Sequence, residues 1–155
     1  MRILVITISD RASRGEYEDM SGPAVEAEIV KAVEGAEVER SIVPDEREKI
    51  LEAMRRGLGA DVILTTGGTG LGPRDITPEV TAEFCDREAP GLAELLRSES
   101  ACETMNAWLS RGRAGLSGST LVINLPGSVA GASFSARVLA PLLGHAVSMA
   151  SGGGH

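Results

Sequence analysis

The sequence predicts an α/β fold, a three-layer sandwich on a mostly parallel sheet, and two observations carry that prediction. Ile3 to Ile8, Val62 to Thr65 and Leu121 to Leu125 are nearly continuous apolar runs, which suit strands covered on both faces rather than a half-exposed hairpin. Between them lie segments with apolar residues at helical spacing. Strands that alternate with helices build a parallel sheet with helices on both sides.

The elements follow in order. Ile3 to Ile8 is the first strand. Ser21-Gly22-Pro23 reads as a helix entry, and Val25, Ile29 and Val33 recur at i, i+4 and i+8 behind it. Val38 to Val43 is a weaker strand, Ile50, Met54 and Leu58 mark the next helix, and Val62 to Thr65 the third strand. Thr77 suits an N-cap, Pro78 the first helical position and Glu79 the positive end of a helix carrying Val80 and Phe84 on one face. Leu92, Leu95 and Leu96 continue the helical pattern after Pro90-Gly91, whereas residues 98–118 have no readable period. Leu121 to Leu125 is a buried strand, and Phe134, Val138 and Leu142 are spaced for a closing helix bent at Pro141. Residues 1–150 are expected to form one domain and residues 151–155 a flexible tail.

Composition narrows the class. A chain of 155 residues can bury roughly 68–70 % of its unfolded surface, enough for an unstapled core. With only 3 % aromatic residues, that core must be built from Val, Ile, Leu, Ala and Met. The net charge of −7 argues against a broad nucleic-acid surface, because such binding draws its affinity from neutralised phosphates. No apolar run approaches the ~20 residues of a membrane span. The N-terminus lacks the sections of a secretion signal, which predicts a cytoplasmic protein with reduced thiols at Cys85 and Cys102, read as core residues. Tyr17 and Trp108 could lie over a planar ligand but are read as packing residues, and His145 and His155 as incidental.

Open α/β sheets bind ligands beyond the carboxyl ends of their strands, and the polar residues collect there. Ser9 and Asp10 follow the first strand with Asp19 further along, Asp45 follows the second, and Asn124 with Pro126-Gly127-Ser128 ends the last. After the third strand comes Thr65-Thr66-Gly67-Gly68-Thr69-Gly70, whose glycines let backbone amides approach phosphate, and then Arg74-Asp75-Ile76-Thr77-Pro78-Glu79. An acid at the mouth of such a loop suggests a divalent cation. Each residue also has a plainer reading. Asp45 with Glu48 fits a capping box, Asp75 could pair with Arg74, Ser9-Asp10 could be a turn, and Ser128 could start the last helix. Asn124 either stitches loops together or meets a ligand. The Walker pattern is excluded because Gly72 is followed by Pro73 and the region lacks lysine, and Gly68-Thr69-Gly70 lacks the third glycine of the dinucleotide pattern.

The glycine loop with Arg-Asp-x-Thr-Pro-Glu, Ile8-Ser9-Asp10, Pro44-Asp45 and Ile123-Asn124-Leu125-Pro126-Gly127 together resemble the molybdopterin adenylyltransferase family of molybdenum cofactor biosynthesis, including the G domain of gephyrin. The likeness covers nearly the whole chain. It implies a molybdopterin-binding α/β fold, usually a homotrimer, that adenylylates molybdopterin with Mg-ATP, releases pyrophosphate and works beside other cofactor-biosynthesis proteins. By the same resemblance Asp45 and Asp75 are the catalytic, Mg²⁺-holding acids, and Gly67, Gly68, Thr69 and Gly70, with Arg74 and Glu79, bind the nucleotide. Ser9, Asp10, Asp19, Ser110, Asn124, Pro126, Gly127 and Ser128 match positions for pterin and product. Val129 stands where many relatives have proline. The resemblance also admits a paralogue that binds without turnover or a trimeric interaction module, but retention of both acids favours the enzyme.

Overall fold

A computed structural model describes residues 1–153. Its strands are β1 (Arg2–Ile8), β2 (Glu37–Val43), β3 (Val62–Thr66), β4 (Arg87–Glu88), β5 (Ala114–Ser117) and β6 (Thr120–Leu125). The helices are α1 (Asp10–Ser13), α2 (Ser21–Ala32), α3 (Arg47–Arg56), α4 (Thr77–Phe84), α5 (Pro90–Ala101) and α6 (Val129–Ala150), with a 3₁₀ turn at Met105–Leu109. The strands form one sheet in the order β2-β1-β3-β6-β5-β4. The first four run parallel, and β5 and β4 add an antiparallel edge.

Two cores make the three layers. Strand residues of one parity, Ile3, Val5, Val62, Leu64, Leu121 and Ile123, pack with Val25 and Ile29 of α2, Leu96 of α5 and Leu139 of α6. Those of the other parity, Leu4, Ile6, Ile8, Ile63 and Val122, pack with Ile50, Leu51 and Met54 of α3 and Val80 of α4. The central strands are therefore apolar on both faces, which is why their runs lack alternation. None of the described helices is long and apolar enough to cross a membrane.

Several elements depart from the sequence expectation. Leu58 lies beyond α3 and is half exposed, because the helix ends at Arg56 and the chain turns at Gly57. The buried stripe of α6 is Ala132, Ser135, Ala136, Leu139, Ala140 and Leu143, whereas Phe134 and Val138 are half-buried and Leu142 is exposed. Small side chains let this helix lie close to its neighbours, so the stripe carries little of the hydrophobicity that a periodicity reading weighs. β5 lies inside the span without a readable period, and β4 between the two expected helices that precede it. Two residues of β4 and a glycine in β5 leave no strand pattern to detect. Helix α6 continues through Pro141 to Ala150, and Gly154 and His155, part of the expected tail, lie outside the described residues.

This topology positions the site. From β1 the chain continues to β2 on one side, while β3, on the other side of β1, continues towards the β6 half of the sheet. Loops leaving β1 and β3 therefore diverge, and a crevice opens between them at the carboxyl edge.

Candidate functional site

The floor of the crevice is the glycine loop after β3. Gly67 has φ +100° and Gly68 φ +64°, conformations that a side chain resists. A Cβ on Gly67 would lie 2.3 Å from the Ile8 carbonyl oxygen, and one on Gly68 2.2 Å from Thr77 Oγ1. Thr77 is fully buried, and its hydroxyl donates to the Gly67 carbonyl at 2.9 Å while its amide donates to Gly68 O. Thr77 is thus the first residue of α4 and a clasp on the loop. The N-cap position belongs to Ile76, and Pro78 is the second helical residue. The amides of Gly68, Thr69 and Gly70 donate to no acceptor among the described residues. Three such donors in sequence form a cradle for an anion.

Asp45 and Asp75 flank this loop. A Cβ on Gly68 would come 3.3 Å from Asp45 Oδ1, and one on Gly70 2.9 Å from Asp75 Oδ2. The Asp45 carboxylate accepts from the Asp10 amide at 2.9 Å, and the Asp10 carboxylate accepts from the Asp45 amide at 3.0 Å, which ties the β1 and β2 loops together. The capping-box reading of Asp45 with Glu48 is therefore overturned: α3 begins after Glu46 without a side-chain cap, because Asp45 is turned towards Asp10. Nor does Asp75 pair with Arg74. Arg74 reaches Asp10 at 2.5 Å, and Asp75 accepts from the Gly72 amide at 2.8 Å. Ser9, Asp10 and α1 form a helical turn, in which the Ser9 hydroxyl accepts from Ala12 N.

Asp45, Asp75, Gly67 and Gly68 line a cleft of about 280 Å³ with Ser9, Tyr17, Asp19, Gly127 and Val129. Asp19 has both oxygens engaged: one accepts from Thr7 Oγ1 at 2.8 Å, the other from the Ser21 and Gly22 amides and the Ser21 hydroxyl. Its carboxylate holds the start of α2 against β1. On the far side of the loop is a second cavity of about 280 Å³, largely apolar, lined by Leu96, Leu109, Ser110, Asn124, Pro126 and Ser128 among others. Of the residues that the sequence grouped as one pterin and product set, Ser9, Asp19 and Gly127 thus line the first cavity, Ser110, Asn124, Pro126 and Ser128 the second, and Asp10 neither. Within the second, Ser128 caps α6, accepting from Gly131 N, and Ser110 Oγ accepts from Gly112 N. Asn124 donates to Thr65 Oγ1 and Thr81 Oγ1 and accepts from the Arg113 amide, so it stitches β3, α4 and the chain entering β5 together. Ser135, absent from the sequence reading, is fully buried beside this cavity with its hydroxyl unpaired.

Charge explains what the acidic cleft can hold. Partial burial pushes the Asp45 carboxyl above the ordinary aspartate value; the Asp10 amide pulls it down, the Asp10 charge pushes it up, Arg74 pulls it down and Asp75 pushes it up. For Asp10, burial acts upward but is outweighed by the Asp45 amide and Arg74, so its carboxyl is lowered. Glu79 is lowered chiefly by its bond to Arg111. Among the described residues no three acidic, histidine or cysteine side chains converge as a metal cage. One oxygen of Asp45 and one of Asp75 accept no hydrogen bond within the described residues. That donor set fits Mg²⁺, which is commonly held by one or two carboxylates together with substrate phosphates.

The raised Asp45 carboxyl has a testable consequence. A folded-state value above the unfolded one means that charged Asp45 opposes folding at neutral pH and that proton uptake on acidification relieves it. Asp45→Asn, which keeps an oxygen for the Asp10 amide, is expected to raise or preserve the metal-free melting temperature at neutral pH. The difference should shrink as pH falls through the raised Asp45 value. Thermal melts across acid pH check this, and a lower melting temperature at neutral pH would contradict it.

Other expectations are corrected. Tyr17 and Trp108 are 48 % and 54 % exposed, so neither is a packing residue, and the Arg11 guanidinium lies 5.4 Å from the Tyr17 ring centroid. Cys102 is exposed, whereas Cys85 is half-buried and packs against the second core, its thiol pushed up to about 11 mainly by burial. The residue most clearly missed is Arg111, which touches three carbonyls of the loop region and Glu79. Its position beside Ser110 was the one available signal.

Residues 4–145 match the family described as "Probable molybdopterin binding domain". The chain is 44 % identical over 131 residues to the molybdopterin adenylyltransferase of Helicobacter pylori strain J99, covering 82 % of this chain and 74 % of that protein. It is 40 % identical over 146 residues to the molybdenum cofactor synthesis protein cinnamon of Drosophila melanogaster, covering 92 % of this chain but only 24 % of that longer protein. The crystal structure of the molybdopterin biosynthesis enzyme MoaB from Thermus thermophilus superposes with a TM-score of 0.90 at 45 % identity, over 97 % of this chain and 96 % of that one.

Proposed function

The chain belongs to the molybdopterin-binding domain family, and from that premise we propose that it transfers the adenylyl group of Mg-ATP to molybdopterin and releases pyrophosphate, in molybdenum cofactor biosynthesis. One observation carries this reading most: three unpaired loop amides between a cleft bearing two carboxylates and an apolar cavity. A triphosphate needs the first, a planar heterocycle the second, and the reacting phosphates must meet at the loop that separates them.

Molybdopterin ends in a phosphate monoester whose second ionisation lies near pH 6, so its attacking oxygen is already anionic at neutral pH. No general base is required. A bond forms from that oxygen to the α-phosphorus of ATP as the bond from the α-phosphorus to the bridging oxygen breaks, and pyrophosphate departs with the bond's electron pair. The chain's task is positioning and charge compensation. Gly68, Thr69 and Gly70 amides cradle phosphate oxygens, and Arg74 exchanges Asp10 for the triphosphate. Asp45 and Asp75 would hold Mg²⁺, which supplies compensation of the phosphate charge. Ser9, Asp10, Asp19 and Gly127 shape the acidic side, while Ser110, Asn124, Pro126 and Ser128 shape the pterin side. Glu79 acts through Arg111.

The test is pterin-dependent pyrophosphate release. Release that requires both molybdopterin and Mg²⁺ supports the transferase; tight pterin binding without release would instead favour a binding paralogue. We further propose a cytoplasmic homotrimer. Light scattering is expected to give three times the 16.1 kDa chain mass, and a monomer mass at working concentration would count against it.

A further inference from the structure

We infer that Arg111 is a positioning residue that holds the nucleotide loop and Asp75 in their binding geometry; this rests on the adenylyl-transfer reading. Its amide donates to Thr69 O at 2.9 Å, its Nε donates to Gly70 O at 2.7 Å, and its Nη2 donates to Asp75 O. Nη1 bonds the Glu79 carboxylate on the first turn of α4, which fixes the plane of the guanidinium. One residue therefore holds three carbonyls of the segment that carries the free amides and the metal-facing acid.

The alternatives for holding this segment are few. Thr77 fixes Gly67 and Gly68 at its start. Asp75 and Gly72 bond each other, which shapes the turn without tying it to the rest of the fold. Beyond Arg111, the described hydrogen bonds that run from residues 69–75 to another part of the chain reduce to the Arg74–Asp10 pair. That pair is exposed and is the one that a triphosphate would break, so on nucleotide binding Arg111 remains the anchor. Its chain neighbours Ser110 and Gly112 line the apolar cavity, so the backbone that carries Arg111 borders the pterin side of the site. A lysine cannot replace it, because a single ammonium lacks the planar fork that reaches Gly70, Asp75 and Glu79 together.

The test uses Arg111→Lys, which keeps the charge, and Glu79→Gln, which loosens the guanidinium without removing it. Hydrogen exchange of the protein without ligands is the first measurement. Arg111→Lys is expected to speed exchange of the Gly72 and Asp75 amides, the hydrogen-bonded ones of this segment, by about tenfold while β1, β3 and β6 keep their protection and the melting temperature stays near wild type. Calorimetry is then expected to give Mg-ATP binding weakened by about tenfold, with a smaller loss in Glu79→Gln and a higher KM for ATP. Unchanged exchange of the Gly72 and Asp75 amides, or a uniform loss of protection with a lowered melting temperature, would overturn the proposal. If wild-type protein fails to bind Mg-ATP, the adenylyl-transfer reading fails, and the exchange measurement still decides whether Arg111 holds the loop.

Discussion

Asp75→Asn is expected to leave the protein folded and to lower turnover by about 10²–10³-fold, roughly 2.7–4 kcal/mol of transition-state stabilisation, the scale of losing one preorganised electrostatic group. The structural half of this expectation follows from the hydrogen bonds of Asp75. Its side-chain oxygen accepts from the Gly72 amide, and its own amide donates to Gly72 O. An asparagine oxygen keeps the first bond, and the second is backbone. The turn therefore survives while the negative charge beside the phosphate loop is lost. Steady-state kinetics with a thermal melt of the same sample checks both halves. Wild-type turnover would remove Asp75 from the mechanism, and an unfolded variant would show that its charge has a structural task.

The second large effect is expected at Gly67. Gly67→Ala places a Cβ 2.3 Å from the carbonyl oxygen of Ile8 at a residue with φ +100°. Ile8 ends a strand paired on both sides, to β2 and β3, and its side chain is buried in the core, so its backbone cannot retreat cheaply. Backbone strain and overpacking together are expected to cost roughly 2–6 kcal/mol and to abolish nucleotide binding. Urea unfolding measures the first part; a midpoint equal to wild type would mean that the loop and strand yield more easily than their hydrogen bonds imply.

The parts of the fold legible in the sequence are those whose local pattern and tertiary role coincide. β1, β3 and β6 are apolar because they are covered on both faces, and the crevice follows from where such strands end. The placement of Asp45 and Asp75 around the glycine loop was legible for the same reason, since Asp45 lies just past the end of β2 and Asp75 closes the loop that leaves β3. What failed depends on contacts distant in sequence. Asp45 followed by Glu48 has the local form of a capping box, but the Asp10 amide, 35 residues away, takes the carboxylate. Thr77 has the composition of an N-cap, yet its hydroxyl serves Gly67. Arg111 comes from a stretch without periodicity, and its partners lie between Thr69 and Glu79, so no spacing rule links them. Alongside Leu139 and Leu143, the α6 stripe is built of alanine and serine, whose burial reflects close approach rather than hydrophobicity.

The central claim is that one site joins adenylate to the pterin phosphate, and label transfer tests it most directly. With ATP labelled at the α-phosphate, molybdopterin and Mg²⁺, wild-type protein is expected to form labelled adenylyl-molybdopterin with one pyrophosphate released per product, and Asp75→Asn to form about 10²–10³-fold less per unit time. Label that remains in ATP while molybdopterin is bound, or that appears as free AMP, would contradict it.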